Sequence, residues 1–302
     1  MAKHSKNFFD FKKSVYVTPN LSAVQKRVPL SLPIKILISV VIVSVVLSTV
    51  YVSGFFISTS SDKRLLSKSS DTFASFSSGE AIRVLAQSNK DIKGWLKIDG
   101  TAVDYAVCLR DDEFYINHNQ LGKKSRYGAL FLSSSDTFER NGNDRNIMIY
   151  GNNMKDGTMF GTLKKYRNIN FYKQNPCVKL YYGETCEIYI IFAVLLVSSN
   201  SGDNEGYNPN KSHFIDSADF NDWYGETSAR SIISSPVGVD YGDDILTLVT
   251  VANDFEGARL AVMAKKTDEW SVRHTDINSA VINRQIKYPK NWYDERGLGY
   301  PY

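Results

Sequence analysis

Covalent chemistry on a carbonyl would fall to a small set of side chains in this 302-residue chain: the thiols of Cys108, Cys177 and Cys186, the hydroxyl of Thr250, and the imidazoles of His118 and His213. A thiol attacks as its thiolate, which a neighbouring base or an electropositive setting must make available near neutrality. Two segments carry a different set. In YGNNMKDGTMF, Tyr150 to Phe160, Asn152 can donate and accept hydrogen bonds but does not titrate. In TLVTVANDFEGAR, Thr247 to Arg259, Val251 has neither a lone pair nor a labile proton, and Thr250 next to it faces the opposite side of any strand. Arg259 closes that segment. Its guanidinium offers paired donors to a peptide carbonyl or a carboxylate, and its plainer reading is an aliphatic stem on the fold with its head in solvent.

These two segments resemble conserved stretches of the class B sortases. In that family the third position of the first segment is the catalytic His, here Asn152. The second segment carries the nucleophilic Cys, here Val251, and the catalytic Arg, kept as Arg259; Val249 and Asn253 also depart from the pattern. The run Gly94 to Val107 is similar to the family's opening strands, with Ala106 where Pro is usual, and Gly128 to Leu132 to a further strand. The resemblance covers roughly residues 90 to 266. It implies a mostly β fold, a sortase-type β-barrel with N-terminal helices and one or two inserted helices, preceded by a single transmembrane helix. In the family the Cys attacks the carbonyl after the Thr of a sorting signal, the His protonates the leaving amine, and the Arg supports the oxyanion. With both dyad positions replaced, the implied protein is a non-catalytic sortase homologue at a Gram-positive cell surface. Its groove, at Arg259, Asn152, Val251 and Thr250, would bind a sorting-signal-like peptide or surface protein, or the chain would scaffold an active sortase in cell-wall anchoring. The alternatives are a cysteine-type transpeptidase with a rearranged site, its relocated nucleophile or base drawn from Thr250 and the thiols and imidazoles named above, and a structural envelope protein. No cofactor or metal is expected.

Other elements must hold such a site. Ile36 to Ile57 carries no charge and, at about 1.5 Å per residue, is long enough to cross a hydrocarbon core of about 30 Å. A cleaved signal peptide would have a shorter apolar core. Residues 1–35 hold seven positive charges against one negative, and residues 36–302 hold 29 against 31. The net charge of +4 therefore belongs to topology and anionic lipid, with the N-terminus cytoplasmic and the rest outside, and does not argue for nucleic acid. The expected organisation is a basic tail (1–35), an anchor (36–57), a linker with one or two helices (58–92), the barrel (93–266) and an aromatic C-terminal tail (267–302). The Ser-rich stretch from Ser67 weakens helix propensity within the linker.

Strands are expected at Gly94–Ile98, Val103–Cys108, Gly128–Leu132, Ile147–Tyr150, Val178–Tyr182, Cys186–Val197, Leu246–Thr250 and Arg259–Ala264. A helix runs from Ser217 as N-cap toward Ile233. A turn at Gly183-Glu184 would set Cys186 opposite Tyr181 and Cys177 opposite Ile190, which leaves three reduced thiols and no disulfide framework. The C-terminal tail is too aromatic for an ordinary disordered segment and is expected to dock on the barrel or on a partner.

Overall fold

The computed structural model describes residues 31–110, 113–133, 138 and 145–302. Residues 1–30 of the basic tail lie outside the described residues. Contacts divide the chain into two compact units, Met1–Gly54 and Phe55–Tyr302. In the first, the described residues from Leu32 on are helical and exposed along their length.

Helix α1 runs from Leu32 to Ala74 without a break at Ile57 and is long and apolar enough to cross a membrane. The Ser-rich stretch is helical because tertiary contacts override propensity. Ser70 donates to Asp104 Oδ2 at 2.6 Å, Ser69 accepts from Gln120, and Phe73 stacks on the Trp95 indole at 4.5 Å. Asp62, buried on the same helix, accepts from Asn119 Nδ2 at 3.1 Å and Ser125 Oγ at 2.7 Å. Helix α2, Ser78–Ala86, turns its apolar face, Ala81, Ile82 and Leu85, inward.

The barrel comprises eight strands: β1 (Ile92–Lys97), β2 (Asp104–Cys108), β3 (Leu130–Leu132), β4 (Asn146–Tyr150), β5 (Cys177–Tyr182), β6 (Thr185–Ser198), β8 (Ile245–Val251) and β9 (Ala258–Thr267). They close in the order β1-β2-β3-β4-β8-β9-β6-β5. Between β4 and β5 lies helix α3, Ile169–Gln174, capped by Asn168. The last ten residues of β6 are all buried, because one face lines the barrel core and α4 (Ser217–Arg230) packs over it. The N-cap of α4 is Asp216 and not Ser217: its carboxylate accepts from the Asp219 amide, and its extended backbone places the helix start one residue later. The helix also stops short of Ile233, because Ile233–Ser234 (β7) pairs with Val281–Ile282 (β10) outside the barrel.

The Tyr182–Thr185 pairing leaves a two-residue turn at Gly183-Glu184, and the register sets Cys186 opposite Tyr181 and Cys177 opposite Ile190. All three cysteines are free. Beyond β9 come α5 (Glu269–His274) and α6 (Lys290–Asp294). The tail is docked, with Tyr293 buried and the Tyr288 and Trp292 rings stacked at 4.2 Å.

Asp62 is the acceptor for two otherwise unpaired donors. Asp62→Leu is expected to destabilise the protein by about 2–4 kcal/mol, read as a fall in the thermal midpoint in detergent; an unchanged midpoint would show that this docking contributes little.

Candidate functional site

The parallel pairing of β4 with β8 decides what meets at the barrel rim. Its register runs from Asn146–Ile245 to Tyr150–Val249, so both strands end on the same side and Asn152 and Val251 emerge together. The antiparallel pairing of β8 with β9 then sets Arg259 directly opposite Val251, with the two side chains on one face. Asn152, Thr250, Val251 and Arg259 line one cleft of about 310 Å³, walled also by Ile116, Phe131 and Tyr150.

Short bonds sew the rim together. Gly151 N donates to Val249 O at 3.2 Å, Thr250 Oγ1 to Gly151 O at 2.7 Å, and Asn153 Nδ2 to Val251 O at 2.9 Å. The Thr250 hydroxyl is thus buried and committed to the backbone, so Thr250 shapes the cleft and offers it no free hydroxyl. Val251 stands 47% exposed, an apolar floor open to a ligand. Arg259 is half-buried and ties Nη1 to the carbonyls of Gly257 and Ala258 at 3.3 and 3.1 Å. It also lines a neighbouring cleft of about 400 Å³ bounded by Ser198 to Asn210, so one guanidinium borders both.

Asn152 is held from the other side. Its Nδ2 donates to Ile116 O at 2.7 Å and lies 3.3 and 3.4 Å from Tyr127 O and Arg126 O. Gly128 makes this approach possible. Its φ is +64°, and a Cβ there would lie 2.8 Å from Asn152 Nδ2 and 2.5 Å from Tyr115 O. The carbonyl-bearing segment is anchored in turn by Tyr115, which donates to Asp91 at 2.8 Å and accepts from Asn89, and by Ser125 on Asp62.

The loop that follows Asn152 is clamped at Asp156. Its carboxylate accepts from Tyr127 Oη at 2.9 Å and Thr158 Oγ1 at 2.6 Å and pairs with Lys63 at 3.0 Å. Burial alone would push this carboxyl up, but the bonds from Thr158, Lys63 and Tyr127 outweigh it and hold its pKa well below the usual carboxylate range.

The turn between Val251 and Arg259 is fixed from outside. Arg167 pairs bidentately with Asp254, both contacts at 2.8 Å. The C-terminal segment adds Arg296 Nη2 to Asp254 O, Glu295 Oε1 accepting from Glu256 N, and Asn291 Nδ2 donating to Glu256 O. Lys287 pairs with Glu205 at 3.2 Å, beside the wall of the second cleft. Aromatic density in the tail signalled docking; the loops it grips were not foreseeable from it.

The other candidates lie elsewhere. Among the described residues no thiol or imidazole lines the cleft. Cys108 is fully buried and burial pushes its thiol up; burial takes Cys177 up to about 11. Cys186 is exposed on β6. His118 stacks on Phe114 with its Nδ1 2.8 Å from Phe114 O, and His213 sits ahead of α4. Among the described residues no three of His, Cys, Asp and Glu come together as a metal site.

The closed eight-strand barrel is a fold this chain shares with solved sortase B structures. No family model matches the chain. It is 33% identical to sortase B of Listeria monocytogenes over 189 residues, 62% of this chain and 74% of the relative. The solved structure of Clostridium perfringens sortase B superposes with a TM-score of 0.56 at 33% identity, over 62% of this chain and 99% of that one. A Staphylococcus aureus sortase B–substrate complex shares the fold at a TM-score of 0.63 and 23% identity, over 70% of this chain and 99% of that one. The chain belongs to the sortase B family.

The Asp156 clamp has a pH signature. A depressed carboxyl stabilises the fold above the unfolded-state pKa of about 3.9, and that contribution is lost as pH falls below it toward the folded value. Asp156→Asn is expected to lower the thermal midpoint at pH 7 by about 1 kcal/mol of stability, with the two proteins converging below about pH 4. A difference that stays constant with pH would contradict this.

Proposed function

We propose that the chain is a membrane-anchored, non-catalytic member of the sortase B family that binds a sorting-signal-like peptide at the bacterial cell surface, alone or as a scaffold beside an active sortase. The observation that carries this reading is the pairing of an open cleft and a retained Arg259 with Val251 and Asn152 in place of nucleophile and proton shuttle. Loss of a nucleophile costs on the order of a million-fold in turnover. A rearranged enzyme would need a thiol or imidazole at the cleft, and those described lie elsewhere. A purely structural envelope role would leave an open groove without purpose. Ligand binding by this fold is supported by the S. aureus relative, which has been solved with its substrate. Anchoring is supported by the apolar part of α1 and by the positive charge ahead of it, which favours a cytoplasmic N-terminus.

The test is calorimetry and intact mass spectrometry of the detergent-solubilised full chain with a panel of class B sorting-signal peptides. At least one peptide is expected to bind, to remain uncut, and to leave the protein mass unchanged. An acyl adduct on Cys108, Cys177 or Cys186, or turnover above the buffer rate, would overturn the non-catalytic reading, and failure of every peptide to bind would overturn the binding one.

Restoring the dyad tests the same groove. Val251→Cys is close in volume at an exposed position, and in Asn152→His the imidazole Nδ1–H takes the place of the carboxamide N–H facing Ile116 O. Each change is expected to cost about 1 kcal/mol or less. The double variant should carry an alkylation-reactive thiol and hydrolyse a sorting peptide weakly, and neither single variant should hydrolyse it. A folded double variant with an inert thiol would mean that Arg259 and residue 152 do not serve position 251.

A further inference from the structure

The carboxamide of Asn152 has one orientation open to it. Three main-chain carbonyl oxygens, of Ile116, Tyr127 and Arg126, lie between 2.7 and 3.4 Å from its outer atom. A carboxamide oxygen there would face three others with no proton between them, so the NH₂ must occupy the position and both its protons are consumed. The remaining atom, Oδ1, accepts no hydrogen bond from any described residue and is not buried. At a rim position where a titrating imidazole would present a proton donor, this chain presents a fixed acceptor. Across the apolar Val251 surface the same cleft carries the Arg259 guanidinium, a donor with Nη1 tied down by its own turn.

We propose that Asn152 and Arg259 form a clamp specific for an intact backbone peptide group: Asn152 Oδ1 accepts the peptide N–H, Arg259 donates to the adjacent carbonyl, and Val251 packs beneath the group between them. This rests on the peptide-binding reading and adds to it the feature of the ligand that is recognised. An acceptor fixed at Asn152 selects for a secondary amide against an ester, a free carboxylate or a tertiary amide such as an X-Pro bond, none of which brings an N–H to it. A carboxylate would meet Arg259 favourably but would place a lone pair against Oδ1, so cleaved products are disfavoured relative to the uncut chain. The clamp is therefore built to hold a bond that a catalytic relative would break. Its rigidity comes from Gly128, whose missing Cβ lets the carbonyl nest close on Nδ2.

The test is an ester scan. The class B sorting-signal peptide that binds the full chain is synthesised with each backbone amide in turn replaced by an ester, and affinities are measured by calorimetry in detergent. One position is expected to lose about tenfold, and in Asn152→Ala that loss should shrink to less than twofold while the penalties at other positions stay unchanged. On the unaltered protein, ¹³C labelling of asparagine supplies a readout independent of the variant's folding: the Asn152 carboxamide carbon should shift on binding the amide peptide and not the ester analogue. A flat scan, or an ester penalty equal in both proteins, or an unmoved Asn152 resonance, would overturn the clamp while leaving peptide binding intact. Absence of binding by every parent peptide would overturn both.

Discussion

The rim exists because β4 and β8 run parallel. Parallel neighbours end together, so residues a hundred positions apart in sequence leave the sheet side by side, and the antiparallel partner β9 returns Arg259 to the same spot. A slip of one residue in either register would turn Val251 or Arg259 to the other face. Buried bonds oppose such a slip: Thr247 Oγ1 donates to Asn146 Oδ1 at 2.7 Å at one end of the pair, and Thr250 to Gly151 O at the other. Both hydroxyls are thereby satisfied, and these bonds explain why Thr rather than Val occupies two positions of an otherwise apolar strand.

Around this pairing, three supports converge on the cleft. The outer turns of α1 brace the carbonyl-bearing segment through Asp62 and the Asn152 loop through Lys63. Arg167 holds the turn between Val251 and Arg259 through Asp254. The C-terminal segment grips the same turn and, through Lys287, the loop beside the second cleft. Such bracing keeps a groove open against collapse and lowers the ordering cost of binding.

Much of the fold was legible in the residues. Each of the eight expected strands is present, four with one end placed to the residue and the other ends displaced by one to three, because alternation and turn residues mark strands well and their ends less well. The Cys186–Tyr181 register followed from one two-residue turn. Asp216 displaced Ser217 as N-cap, since two adjacent capping residues compete and backbone conformation selects one. The unbroken α1 was hidden because its Ser-rich part is stabilised by Asp104, Gln120 and Trp95, partners that sequence proximity does not reveal. At the site, the identities of Asn152, Val251 and Arg259 were legible, and their convergence on one cleft was an expectation of the family resemblance. The carbonyl nest was not, because carbonyls carry no sequence signal and these come from 25 to 36 residues upstream.

The most direct measurement is a crystal structure of the chain with a bound sorting-signal peptide. The expected result is continuous, uncut peptide backbone crossing the cleft above Val251, with a carbonyl on Arg259. A peptide severed and bonded to a cysteine, or one bound away from a cleft that stays empty, would contradict the view of this protein as a sortase fold that binds its ligand and leaves it whole.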